Sequence, residues 1–175
     1  YKVKIINACG EWDEYSEIFK NNGIDLIEFK FKFFSYLPKN GYLSSRISYL
    51  IIILFSFFPL LLVLKKDKPE FFIMHLLTSL PIILNNFFNF QTKFILRISG
   101  FPKLNLFRKF LWKSSSKKLF KITCPTKDLL SYLKYENIFK NDKIHYLQDA
   151  IINIKDYIRM TNTNDQNFLN KVEKY

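Results

Sequence analysis

From residue 70 onward, short apolar runs and longer amphipathic stretches alternate in a way that leaves little choice of architecture. Glu70-Phe-Phe-Ile-Met-His75 reads as a strand, residues 78–89 as a helix, and Lys93-Phe-Ile-Leu-Arg-Ile98 as a second strand. A turn follows at Ser99-Gly-Phe-Pro102, then a basic helix over 103–116, a strand over 119–124, a helix over 126–135 and a last strand over 143–147. Strands separated by whole helices cannot pair as tight hairpins; they pair through crossovers. The expectation is therefore an α/β fold, a Rossmann-like parallel sheet with helices on both faces. Functional loops should gather at the carboxyl ends of the strands.

The first seventy residues are less regular. Residues 2–9 form a short β-branched run ended by Gly10, and 11–22 read as a helix stopped by Asn22-Gly23. Over Asp25–Phe33, Phe29, Phe31 and Phe33 alternate with Glu28, Lys30 and Lys32, the period of a half-buried strand, and Pro38-Lys-Asn-Gly41 closes it. Residues 47–64 are the most apolar window, with 15 of 18 residues apolar and no charge, between Arg46 and Lys65, Lys66 and Lys68. As a helix this window spans roughly 27 Å, the lower limit for crossing a bilayer. A helix buried against a sheet, or one resting on a membrane, has the same composition. Basic residues at both ends give no orientation.

The net charge of +12 is concentrated: residues 71–127 hold ten Lys or Arg and no Asp or Glu. Such a block calls for an anionic partner. Leu104, Phe107, Phe110 and Leu111 of the basic helix are expected on one broad side and Arg108, Lys109 and Lys113 on another, with Trp112 at the boundary. That arrangement suits anionic lipid headgroups. Nucleic acid is not expected as the partner, because the aromatics follow helix and strand periods that a core would use. Cys9 and Cys124 offer neither a disulfide framework nor a zinc cluster, and no metal site is expected.

No phosphate loop, dinucleotide fingerprint, zinc-protease helix or nucleophile elbow is present. What remains lies at three strand ends. His75 can bond a hydroxyl or accept a proton. In Arg97-Ile-Ser-Gly100, Ser99 is polar, Gly100 allows close approach of a ligand, and the helix that follows can face an anion. Thr126 follows the third strand and either binds an acceptor or caps its helix.

In this order, the motifs resemble the N-terminal, acceptor-side domain of family 4 glycosyltransferases, the retaining GT-B enzymes of lipopolysaccharide and capsule assembly. Leu64-Lys-Lys-Asp-Lys-Pro-Glu-Phe-Phe-Ile-Met-His75 is similar to the passage that leads to a strand-end His in that family. Thr78-Ser-Leu-Pro81 opens the next helix, and Phe94-Ile-Leu-Arg-Ile-Ser-Gly-Phe-Pro102 is similar to a strand usually ending in His-Gly, with Ser99 here in place of that His. Leu119-Phe-Lys-Ile-Thr-Cys-Pro-Thr126 and Lys143-Ile-His-Tyr-Leu147 complete the series.

The resemblance implies half of a GT-B enzyme that moves a sugar from a nucleotide-sugar to a lipid-linked glycan on the cytoplasmic side of the plasma membrane. His75 and Ser99 would act at the reacting groups. Arg97, Gly100, Arg108, Lys109 and Thr126 would hold acceptor or phosphate. No cofactor is expected in this domain, since the nucleotide-sugar would be held by a C-terminal domain outside the sequence. Residues 1–160 would form the Rossmann-like unit without its first strand and helix, and 161–175 a linker or the start of the next domain. The alternative is a small basic protein without catalysis, anchored in a membrane by residues 47–64.

Overall fold

The computed structural model describes residues 2–8, 12–29, 31–37 and 42–149. Cys9, Gly10, the Pro38–Gly41 turn and the stretch 161–175 lie outside them.

The expected α/β architecture is found, with parallel sheets flanked by helices. β1 (Lys4–Asn7) pairs in parallel with β2 (Asp25–Glu28), and α1 (Ser16–Asn21) connects them after a 3-10 turn over Asp13–Tyr15. β3 (Phe71–Met74), β4 (Lys93–Arg97), β5 (Lys121–Cys124) and β6 (Ile144–Tyr146) form a four-stranded parallel sheet in sequence order. Its crossovers are α3 (Ser79–Phe87), α4 (Leu106–Ser115) and α5 (Lys127–Tyr135). A long α2 (Tyr42–Asp67) links the two sheets.

One row of the larger sheet carries the core. Met74, Phe94, Leu96, Ile122, Cys124 and Ile144 are buried against Ile82 and Leu84 of α3, Leu111 and Trp112 of α4, and Leu129 and Leu133 of α5. Phe94 lies between Phe72 and Phe90, with ring centroids 5.6 and 5.8 Å away. In the alternate row, Phe71, Ile73 and Lys93 are exposed.

Helix ends follow local chemistry. Gly23 after α1 has φ +70°, the left-handed conformation that glycine adopts without strain, and Asn137 takes the same role after α5 with φ 49°. The Asn105 side chain accepts the Arg108 N–H, and the Thr126 hydroxyl accepts the Leu129 N–H, each capping a helix.

Two expectations need correction. The strand foreseen over Asp25–Phe33 ends at Glu28. Its partner β1 is only four residues long, and the last rung is the Phe29 N–H to the Asn7 carbonyl. A 3-10 turn over Lys32–Tyr36 then folds Phe31, Phe33 and Phe34 together against Phe55 of α2, so these phenylalanines pack as a cluster and not along a strand.

The faces of α4 also differ. Its helix starts at Leu106, leaving Leu104 outside it, and its buried stripe is Leu111, Trp112 and Ser115. Residues 108, 111, 112 and 115 share one side at 3.6 residues per turn, so Arg108 parts from Lys109 and Lys113 and lies over the Trp112 ring, 5.8 Å from its centroid. Leu106, Phe107 and Phe110 are exposed.

Candidate functional site

Parallel register sets the site. Phe72 pairs with Phe94 and Met74 with Leu96, so the residues that follow β3 and β4 emerge side by side at the carboxyl edge of the sheet. There Nε2 of His75 shares a hydrogen bond with Oγ of Ser99. Both side chains are exposed. A neutral imidazole accepts the Ser99 O–H at Nε2 or donates to its oxygen, and either arrangement leaves an oxygen or a ring nitrogen to meet a ligand hydroxyl.

The loops beside this pair border a shallow, open cleft of about 280 Å³, lined among others by Leu76, Thr78, Ser99, Gly100, Arg108 and Trp112. Gly100 has no left-handed φ, and a Cβ built on it meets nothing within 4 Å. The fold therefore places no demand on glycine here, and the backbone is open to close approach. Phe101 anchors the loop by packing edge-on against Tyr132 of α5, centroids 5.3 Å apart.

Leu76, directly after His75, adopts φ +61°, a left-handed conformation costly for a residue with a Cβ. Its carbonyl accepts the Thr78 N–H at 3.0 Å, so the chain doubles back between β3 and α3. Leucine gives no sequence cue for this strained turn, and it was not among the expected site residues.

The expected cations divide. Arg108 borders the cleft and donates to the Lys103 carbonyl at 3.0 Å. Arg97 also borders it, yet its guanidinium binds the Leu147 carbonyl at 2.6 Å and the Asp149 carboxylate, which ties β4 to the chain leaving β6. Lys109 points to α5 and pairs with Glu136 at 2.9 Å. Thr126 serves as the cap of α5. Ser99, Gly100 and Arg108 thus line the cleft with His75 bonded to Ser99 beside it, whereas the Arg97 guanidinium, Lys109 and Thr126 are occupied elsewhere.

Cys124, at the end of β5, is fully buried, and burial pushes its thiol above the ordinary range, with the nearby Arg97 and Lys134 charges opposing. A protonated buried thiol is a packing group and not a nucleophile. Among the described residues no group of three or more His, Cys, Asp or Glu is placed to hold a metal ion. What the cleft offers is the Ser99 hydroxyl, bonded to His75 beside the cleft, open backbone at Gly100 and the positive charge of Arg108. Comparison with protein families, with curated proteins and with solved structures finds no match to this chain.

Proposed function

We propose that this chain is the acceptor-side half of a retaining, GT-B type glycosyltransferase, working at the cytoplasmic face of the plasma membrane on a lipid-linked glycan. The observation that carries the reading is the His75–Ser99 pair, set at the carboxyl edge of a parallel sheet beside Gly100 and Arg108. Ligand crevices of open α/β sheets form at that edge. A paired imidazole and hydroxyl can orient a sugar hydroxyl, Gly100 lets the acceptor lie against the backbone, and Arg108 can face an acceptor phosphate.

In this scheme the nucleotide-sugar is a substrate held by a second domain. The residues of this chain hold the acceptor hydroxyl toward it, and the departing nucleoside diphosphate is stabilised elsewhere. The basic, acid-free block over 71–127 draws the protein to the anionic surface where such an acceptor lies.

The test is release of nucleoside diphosphate by the full-length protein, given a panel of nucleotide-sugars and membrane lipid extract. His75→Ala and Ser99→Ala should each lower kcat/KM on the order of a hundredfold. Unchanged turnover in both variants would remove the reading. A second reading, a membrane-anchored protein without catalysis, is favoured by the exposed apolar side chains of α2, and it predicts membrane attachment with no transfer on any donor.

A further inference from the structure

Helix α2 is apolar around its whole circumference, yet the protein covers only one side of it. Ser48, Ser56, Leu60 and Leu64, spaced by multiples of four, form a buried line. Leu60 and Leu64 belong to the same core as Met74 and Phe94. The opposite line, offset by two residues, is Leu50, Leu54, Phe58 and Leu62, with Leu54 69% and Phe58 70% exposed. Ile47 continues it by one turn. A helix that is apolar all round belongs inside a core or in lipid, and four turns of large exposed apolar side chains form a patch that soluble surfaces seldom carry.

We infer that this outer line of α2 seats the protein on one leaflet of an anionic membrane, with the helix lying in the plane of the bilayer. Three observations select that occupant. First, no charge interrupts residues 47–64, while Arg46 at one end and Lys65, Lys66 and Lys68 at the other are exposed where an embedded helix meets headgroups. Second, pairing α2 with a second copy sets cationic ends against cationic ends in either direction, in a chain of net charge +12.

Third, the helix is fastened to the α/β body along its length. Phe31 and Phe33 pack on Phe55 with centroids 5.6 and 4.8 Å away, and Lys4 binds Asp67 at 2.6 Å. A bilayer-spanning α2 would carry the charged sheet edge into hydrocarbon. An in-plane helix buries its outer face at the boundary of headgroups and acyl chains. The inference stands on the burial pattern of α2 and holds whether or not the cleft transfers sugar.

Flotation of the full chain with phosphatidylcholine vesicles, with and without phosphatidylglycerol, tests it without any activity. The wild-type protein should float with the anionic vesicles and stay bound in high salt. The variant Leu54→Glu/Phe58→Glu, altered only at exposed positions, should remain in the lower fraction with an unchanged circular dichroism spectrum. Equal flotation of that variant overturns the proposal, as does a lipid-free dimer that the variant dissociates while neither protein floats.

A tryptophan placed in turn at 50, 58 or 62, its quenching read as the difference from the Trp12 and Trp112 background of the wild type, supplies a second readout in vesicles of brominated lipid. Quenching by the same bromine position at all three sites supports an in-plane helix. Quenching that deepens toward the middle site means a spanning helix and overturns it, and absence of quenching at all three does the same.

Discussion

The imidazole of His75 and the hydroxyl of Ser99, twenty-four residues apart, are joined by a hydrogen bond that spans the ends of neighbouring parallel strands. Neither group is buried, so the fold does not depend on the bond. Single alanine substitutions should change unfolding free energy by less than about 0.5 kcal/mol. If the pair handles the acceptor hydroxyl as a unit, the double variant should lose no more transfer activity than the worse single one. In Ser99→Ala the His75 Nε2 resonance should shift in nitrogen NMR; an unmoved resonance would mean that the pair is not formed in solution.

Gly100 separates function from folding cleanly. With ordinary backbone angles and open space around the position, Gly100→Ala should fold as well as wild type or slightly better, since alanine restricts the unfolded chain. Its effect should fall on transfer, through a raised KM as the methyl group meets the acceptor. Gly23→Ala should behave in the opposite way, costing about 1 kcal/mol at φ +70° and leaving transfer unchanged. Denaturant titrations together with KM measurements check both.

The sequence made the sheet legible and much of the site, but not the commitments of individual side chains. Period and spacing located every strand of the four-stranded sheet, because Phe72, Met74, Phe94 and Leu96 alternate with more exposed neighbours. His75 and Ser99 could be picked as strand-end polar residues, yet their bond depends on the register of Met74 with Leu96, which no local pattern records. Arg97 and Lys109 read as free cations, because Asp149 and Glu136, which neutralise them, lie 52 and 27 residues away. Arg108 was grouped with Lys109 and Lys113, although its place on the helix wheel is with Trp112. The Asn105 cap is readable from residue type, and it sets the start of α4 three residues beyond position 103.

Lys143 has a structural role that length alone conceals. Its ammonium donates to the carbonyls of Ser116 and Lys117, both at 2.9 Å, and of Leu119 at 2.5 Å, closing the end of α4 and the turn into β5. Lys143→Met keeps the apolar stem and removes all three bonds, leaving polar groups near the core without partners. Loss of stability should be about 2 kcal/mol, read as a lower urea midpoint at unchanged slope. An effect within error would show that water satisfies these carbonyls equally well.

Cys124 gives the fold a pH dependence of known sign. Burial raises the thiol's pKa in the folded protein, so the folded state holds its proton to higher pH than the unfolded chain does. The associated stability is fully present below the unfolded thiol's pKa of about 8.5 and is lost as pH rises through the folded value. Between neutral and alkaline pH this group therefore lowers stability as pH rises. Burial also raises Tyr132, which acts in the same direction at still higher pH, so the informative quantity is a difference between proteins. The wild-type urea midpoint should fall more steeply with alkalinity than that of Cys124→Ala, since removing the thiol removes its share of the slope. In a Cys9→Ser background, native Cys124 should resist iodoacetamide and react only once urea unfolds the chain. Rapid alkylation of the native protein, or parallel pH profiles for wild type and Cys124→Ala, would contradict a thiol buried in the core at the end of β5.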